Sequence, residues 1–185
     1  VDQVDPTRVD ETAFRVLTQD AVARLRQELN DFSTTLQDSL PKLLFEEVLS
    51  DVELMEAFER CPAGIKHHHA YAGGLLEHVV MLLRLADRVA SLYPDIDRDL
   101  LLVGVLVHDI GKTVELENEK GFSYTDSGQL LGHVLLGIEI VDDKIRKIEA
   151  KTGTPFDQEV ANRIKHMVAS HHGEYAFGAP KLPMT

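Results

Sequence analysis

The chain of 185 residues has only one cysteine, Cys61, which excludes a framework of internal disulfide bonds. A lone thiol fits a reducing compartment, so we expect a cytoplasmic protein. No apolar run reaches the roughly 18 to 20 residues that span a bilayer, and the first residues are too polar for a signal peptide. We therefore expect neither a membrane anchor nor a membrane partner.

Positive charge is also scarce, because 31 acidic residues outnumber 19 lysines and arginines and leave a net charge of -12. This balance argues against general, charge-driven binding of nucleic acid. The excess of acidic residues is uneven along the chain. Residues 1–60 hold 14 acidic and 6 basic residues, while residues 61–185 hold 17 acidic and 13 basic residues. A local site for an anionic substrate is therefore still permitted in the second part.

Repeats and low-complexity segments are absent, and helical patterning dominates the first third. Residues 1–10 are polar and are interpreted as a linker or the remnant of an upstream region. Apolar spacing predicts a helix over about residues 11–30, a helix over about 40–50 with Ser39 as a possible N-cap, and a short helix over 51–60. We interpret residues 11–60 as an N-terminal helical arm, either a lid or a packing element.

Residues 61–185 are predicted to form a helical domain, so the expected fold class is all-α. Helices are expected over about 74–92, from Asp97 or Asp99 to about residue 109, over 127–152 and over 157–170. Gly111 is predicted to end its helix in the usual glycine position. Residues 113–125 alternate in hydropathy, which predicts a small β-hairpin insertion near that stretch.

All nine histidines lie between positions 67 and 172. His78, His108 and His133 each lie on the apolar stripe of a different predicted helix. A buried imidazole needs a hydrogen bond or a metal, and for a single residue a satisfied core histidine is the commoner case. Three such residues, with the His171-His172 pair at another helix end, can converge only inside a helical bundle, where bundle metal sites are made.

The most specific motif of the pattern is Val107-His108-Asp109-Ile110-Gly111-Lys112. Adjacent His108 and Asp109 can supply a nitrogen and a carboxylate ligand to one metal. Such mixed ligation suits Mn, Fe, Co, Ni or Zn without choosing among them, and Mg is a further candidate. Lys112 can contact an anionic oxygen of a substrate or, alternatively, balance the dipole at a helix end.

This pattern resembles the HD-domain superfamily of metal-dependent phosphohydrolases, which uses a histidine on one helix, a His-Asp pair on the next and a more distant aspartate. A narrower match, in residues 68–78 and 166–183, resembles the bacterial HD-domain 3′-to-5′ exoribonucleases. The resemblance implies an HD-domain bundle over residues 61–185 with one or two divalent ions. The implied metal ligands are His78, His108, Asp109, His133, His171 and His172.

The resemblance also implies hydrolysis of a phosphoester by metal-activated water, with Asp109 and Lys112 as catalytic residues. The residues expected to contact substrate or to support the ligands are His68, His69, Tyr71, Lys112 and His166. The expected substrates are phosphodiesters, among them single-stranded RNA cleaved from its 3′ end. A small-nucleotide phosphohydrolase, a degenerate HD domain that binds a nucleotide or partner, and a purely structural bundle with core histidines remain alternatives.

Two parts of the family pattern are not found within these residues. The related exoribonucleases carry an OB-fold module before the HD domain, and no OB-like set of strands precedes the helices here. The distant aspartate belongs on a further helix, and Asp157 is a poor candidate because it precedes the His171-His172 pair. The OB-fold module therefore lies outside these residues or is lacking in this protein. We expect both ends to be the edges of an excerpt and the HD domain to lack its last helix.

Overall fold

The computed structural model describes residues 17–64, 71–117 and 123–184, and these residues are almost entirely helical. The elements in chain order are α1 (Gln19–Thr35), α2 (Ser39–Ser50), α3 (Val52–Arg60), α4 (Gly74–Ala90), α5 (Arg98–Val107), α6 (Lys112–Glu115), β1 (Leu116–Glu117), β2 (Ser123–Tyr124), α7 (Asp126–Thr152), α8 (Gln158–Ser170) and a 3-10 turn (Tyr175–Phe177). The predicted all-α class is confirmed. Within the described residues, a helix with the length and apolarity to cross a bilayer is not found.

Short polar side chains set where most of the helices begin. The capping residues that accept a hydrogen bond from a first-turn backbone N–H are Thr18, Asp38, Asp51, Asp97, Thr125 and Asp157. These acceptors satisfy donors that a helix cannot satisfy within itself. Asp97 is thus the cap of α5. The cap of α2 is Asp38, so the prediction of Ser39 was one residue late.

The first helix differs from its prediction at both ends. The cap at Thr18 starts α1 at Gln19, and the helix continues past the predicted end near residue 30 to Thr35. Residues 1–16, which held the first apolar positions of the prediction, lie outside the described residues. Val22 and Leu25 pack against the core, so the apolar stripe was correctly assigned in the described part.

The predicted hairpin is present but much shorter than expected. β1 and β2 pair antiparallel through Leu116 with Tyr124 and Glu117 with Ser123. Val114 was predicted to lie on the first strand, but it lies in α6, where its backbone N–H donates to the Gly111 carbonyl. An alternation of two or three residues fits a turn of helix as well as a strand, and here backbone hydrogen bonds from the preceding residues continue the helix.

Gly111 was predicted to end its helix in the usual glycine position, which has a positive φ, and this was wrong. Its φ is -63°, an ordinary right-handed value. A Cβ at this position would lie 2.0 Å from the carbonyl oxygen of His133 and 2.5 Å from the amide nitrogen of Gly137, both on α7. Glycine is therefore required at position 111 by close packing of two backbones and not by a turn.

One hydrophobic core joins the early and late helices. Leu29, Phe45 and Phe58, from α1, α2 and α3, are fully buried in the same cluster as residues of α4, α5, α7 and α8. α2 packs against both α5 and α7. The division of the chain at residue 60 remains a prediction, but the arm contributes to the core on which the histidine-bearing helices rest.

Candidate metal centre

The histidines singled out in the sequence lie at helix ends that meet at one place. His78 lies in the first turns of α4, His108 and Asp109 follow α5, and His171 and His172 follow α8. The exposed fraction of the side chain is 6% for Asp109, 12% for His108, 16% for His171 and 21% for His78. Helix ends bring the imidazoles together because the chain can turn there without breaking the packing of the helices.

The Asp109 carboxylate lies between two groups of histidines. Its Oδ2 atom is 3.2 Å from Nε2 of His108 and 3.9 Å from Nε2 of His78. Its Oδ1 atom is 3.5 Å from Nε2 of His133 and 3.4 Å from Nε2 of His171. Each oxygen therefore faces a different pair of imidazoles.

Two sets of three side chains have the spacing of a metal site. In each set one ligand atom per residue lies within 4.8 Å of the others, and the sets are His78, His108, Asp109 and His133, His171, His172. In the second set, Nε2 of His133 and Nε2 of His172 are 3.1 Å apart. Imidazole and carboxylate are ligands that divalent transition metals accept, so the donor chemistry fits two ions.

Unsatisfied polar atoms point to a bound cation. Oδ1 of Asp109, Nε2 of His171 and Nδ1 of His172 are buried and have no hydrogen-bond partner within the described part of the chain. Nδ1 of His171 lies 2.8 Å from the Val168 carbonyl, to which it donates, so Nε2 presents a lone pair to the carboxylate oxygen. Two acceptors facing each other are unfavourable unless a metal ion or a proton lies between them.

Backbone carbonyls orient two of the imidazoles in the same way. Nδ1 of His108 lies 2.8 Å from the Val105 carbonyl one turn earlier, as Nδ1 of His171 does from Val168. Each ring donates from Nδ1 and turns Nε2 toward Asp109. Histidine ligands commonly have their second nitrogen held by such an acceptor, which fixes the tautomer that binds metal.

His133 is held differently, by a carboxylate that the sequence analysis missed. Oε1 of Glu115 accepts the backbone N–H of His133 at 3.0 Å and lies 3.1 Å from its ring Nδ1. The backbone donor is available because Gly132 breaks the helix with φ 71° and ψ 160°, a conformation open to glycine. An isolated glycine beside a histidine was the available signal.

Two glycines allow the helices of the site to approach closely. Gly111 lies against the backbone of α7 beside His133, as described above. A Cβ at Gly104 would lie 2.5 Å from Sδ of Met167 on α8. Gly104 therefore lets α8 approach α5 closely.

Charge and burial keep the site ready to bind cations. Burial by itself would raise the pKa of Asp109, but the contacts with His108 and His171 and the charge of Lys112 outweigh it and hold that pKa well below its usual range. Burial, followed by the neighbouring His171 and His133, lowers the pKa of His172. A lowered carboxylate pKa at Asp109 and a lowered imidazole pKa at His172 both favour the protonation states that metal ligation requires.

The comparison with known proteins agrees with this geometry. The profile of the HD domain matches residues 75–183, which include every residue of the two sets.

The chain belongs to the HD domain family.

Curated relatives show a closer likeness over part of the chain. It is 43% identical over 123 residues to the 3′-5′ exoribonuclease YhaM of Listeria monocytogenes serotype 4b, and 41% identical over 123 residues to the protein of that name in Bacillus subtilis. Each match covers 66% of this chain and 37% of the relative, so the chain corresponds to well under half of their length. No solved structure gave a significant match.

The remaining predicted residues of the HD domain fall in three places. Nζ of Lys112 donates to Oδ2 of Asp109 and to the Ala63 carbonyl, both at 2.7 Å. The Tyr71 hydroxyl is buried and donates to the carboxylate of Glu77. His166 lies away from the carboxylate, and its Nε2 accepts the backbone N–H of Met184 at 3.0 Å. The predictions for His68 and His69 lie outside the described residues.

A cleft of about 550 Å³ opens onto the HD domain centre. Part of the lining is formed by polar groups of the site, namely His78, His108, Asp109, Lys112, Ser170, His171 and His172. The rest of the lining, called the apolar wall below, is formed by Leu82, Leu101, Gly104, Val105, Met167 and Pro183. The cleft therefore combines candidate metal ligands with apolar lining within a volume typical of small-ligand sites.

Proposed function

We propose that this HD domain is a divalent-metal-dependent phosphohydrolase that cleaves phosphodiesters, and that its substrate is RNA degraded from the 3′ end. The observation that carries the proposal is the Asp109 carboxylate, with one oxygen toward each set of histidines and with buried atoms around it that lack a hydrogen-bond partner. A shared carboxylate of this kind suits two ions acting on one phosphate group.

The residues that would hold metal form two groups around the shared carboxylate. His78, His108 and Asp109 would hold one ion, and Asp109 with His133, His171 and His172 the other. Bound divalent ions supply acidification of a water and neutralisation of phosphate charge. Nitrogen-rich ligation favours Mn, Fe, Co, Ni or Zn over Mg.

The chain's own residues position and neutralise the substrate. The ammonium of Lys112 lines the cleft beside Asp109 and can donate to a phosphate oxygen that enters there. The Ala63 carbonyl and Oδ2 of Asp109 fix the position of that ammonium before substrate arrives. Asp109 remains ionised near neutral pH, so it can accept a hydrogen bond from a water beside the phosphate.

The choice of RNA is supported by the relatives, which carry the name 3′-5′ exoribonuclease. Hydrolysis of a small nucleotide is the alternative that the cleft volume also accommodates. The location that we propose is the cytoplasm, in keeping with the buried free thiol of Cys61.

Metal content tests the centre directly. The chain, purified without an affinity tag and reconstituted with Mn²⁺, is expected to hold two ions by elemental analysis. Asp109→Asn should lose both ions, because it removes the only proposed shared ligand. His78→Ala and His172→Ala should each lose one. Asp157→Asn, an exposed cap of α8, is the control and should keep two. Unchanged stoichiometry in Asp109→Asn would contradict the assignment.

Product analysis tests the reaction. With single-stranded RNA labelled at its 5′ end, we expect a ladder that shortens from the 3′ end together with release of mononucleotides. Free nucleoside triphosphates should be hydrolysed more slowly. Faster hydrolysis of free nucleotides would favour the alternative, and a metal-loaded chain that hydrolyses no phosphoester would overturn both.

A further inference from the structure

The apolar wall of the cleft is not used by the hydrolysis described above. Leu82 comes from α4, Leu101 and Val105 from successive turns of α5, and Met167 from α8. All four side chains are partly exposed, although the helices around them are otherwise packed into the core. Apolar carbon that stays open to solvent inside a concave site favours an apolar ligand surface.

Close helix packing builds this wall. Sδ of Met167 would be 2.5 Å from a Cβ at position 104, so the glycine lets the thioether lie close to the backbone of α5. Methionine is flexible and polarisable, and it adapts to aromatic rings of different shapes. The wall is therefore a polarisable apolar surface whose shape can adapt to the ligand.

Two polar side chains of the cleft, Ser170 and Lys112, have hydrogen-bond partners within the chain. The Ser170 hydroxyl donates to the His166 carbonyl at 2.7 Å, and the Lys112 ammonium bonds Asp109 and Ala63. Reading a base requires donors or acceptors aimed at its edge, as an amide or a guanidinium provides. The apolar side has none among its described lining side chains.

We infer that this wall binds the nucleobase of the nucleotide whose phosphate lies at the metal centre, and that it does so without selecting among bases. The inference rests on the proposed function, since it takes a nucleotide as the occupant. Two features of the cleft point to that occupant: the wall and the cation-binding groups share one cavity, and about 550 Å³ suits a ligand of nucleotide size. A base stacked on aliphatic carbon is held by its faces, which every base has.

Binding of reaction products to the chain loaded with Mn²⁺ distinguishes the contribution of the base to affinity from that of the phosphate. Calorimetric titration with AMP, UMP and ribose 5-phosphate compares ligands that share the phosphate and differ in the base. We expect both nucleotides to bind at least about tenfold more tightly than ribose 5-phosphate, because burial of the base removes apolar surface from water. The two nucleotides should differ by less than about fivefold.

A matched pair of variants locates the effect. Leu101→Gln places an amide on the wall, and Leu92→Gln makes the same change at an exposed position outside the cleft. Leu101→Gln should remove most of the advantage of AMP over ribose 5-phosphate and leave ribose 5-phosphate binding within twofold. Leu92→Gln should leave both unchanged. Thermal unfolding of each variant controls for loss of the fold. The comparison of the three ligands on the wild-type chain does not depend on any variant.

The outcomes separate this inference from the proposed function. Equal affinity for AMP and ribose 5-phosphate, or equal weakening of both by Leu101→Gln, overturns the base site and leaves the phosphohydrolase intact. A strong preference for one base would contradict the inference that the wall binds different bases alike. Failure of all three ligands to bind in the presence of Mn²⁺ overturns the proposed function, and the base site with it.

Discussion

At the scale of single residues, Glu115 positions His133, a role that its place in the sequence does not indicate. Its carboxylate receives two donors from His133, one from the ring and one from the backbone. The ring is thereby held with Nε2 toward Asp109 and His172. A charged acceptor behind a ligand also makes the imidazole a stronger donor to metal.

Glu115→Gln should therefore weaken metal binding without removing a ligand. The amide keeps the shape of the side chain and loses the charge, so affinity for one of the two ions is expected to fall by roughly 10- to 100-fold. Competition with a chelator of known affinity measures this fall. Glu117→Gln, an exposed neighbour in β1, is the matched control. Equal affinities in the two variants would show that Glu115 is a packing residue only.

The sequence predicts the ligand candidates better than the groups that support them. His78, His108 and His133 stand out because a polar ring on an apolar stripe has to be satisfied. Glu115 is the last residue of α6, in a stretch whose hydropathy alternates like that of a strand, so no pattern predicted that it is buried. Its partner depends on the break at Gly132, and that break is fixed by packing of α6 against α7, a tertiary contact.

At the scale of elements, Gly111 determines how α6 and α7 lie together. The carbonyl of His133 occupies the space where a Cβ would be, and both neighbours in contact are backbone atoms of α7. Backbone cannot move aside as a side-chain end can. The segment after Asp109 and the segment that bears His133 therefore meet backbone to backbone at Gly111.

Gly111→Ala is expected to lower the free energy of unfolding by about 2 kcal/mol or more, as overpacking of a rigid contact does. It should also remove the ion held by His133, because α7 has to shift. Gly64→Ala is the control, since a Cβ there meets nothing within 4 Å. Denaturant unfolding and metal analysis check the two effects. Retention of two ions in a destabilised Gly111→Ala protein would separate packing from the metal centre.

Short elements account for most of the errors in the sequence-based fold. Long periodic segments such as α4, α7 and α8 were placed to within a few residues, because burial along them repeats over several turns. α6 has four residues and each strand has two, so no periodicity distinguishes them. Their conformation follows from contacts with α7, which a local pattern does not contain.

At the scale of the whole molecule, an ion pair links the first third of the chain to the last. Asp51 caps α3 and also accepts from the ammonium of Lys144 on α7, which is buried. The hydrogen bond from Lys144, then that from the Leu54 amide, lowers the pKa of Asp51 to about 2. A carboxylate with a depressed pKa stabilises the fold above its ordinary pKa, and this contribution is lost as the pH falls toward 2.

Asp51→Asn should lower the free energy of unfolding at neutral pH by about 1 to 2 kcal/mol, because it leaves the Lys144 charge buried without this partner. Asparagine still caps a helix, so the loss reports the ion pair. The difference from wild type should shrink between about pH 4 and pH 2. Asp157→Asn, a cap of α8 with the same 3.0 Å hydrogen bond, should change stability little. Urea unfolding across this pH range measures both, and a difference that does not change with pH would exclude the ion pair as the cause.

The separation of the ligands along the chain has a consequence for folding order. His78 and His172 stand 94 positions apart, and the two sets exist only once α4, α5, α7 and α8 have packed together. Closing so long a loop costs conformational entropy before any bond between metal and ligand can form. We therefore expect the centre to assemble late. An ion that recognises only the finished centre stabilises the native state and not its precursors. Metal supply is therefore expected to govern how long a newly made chain survives.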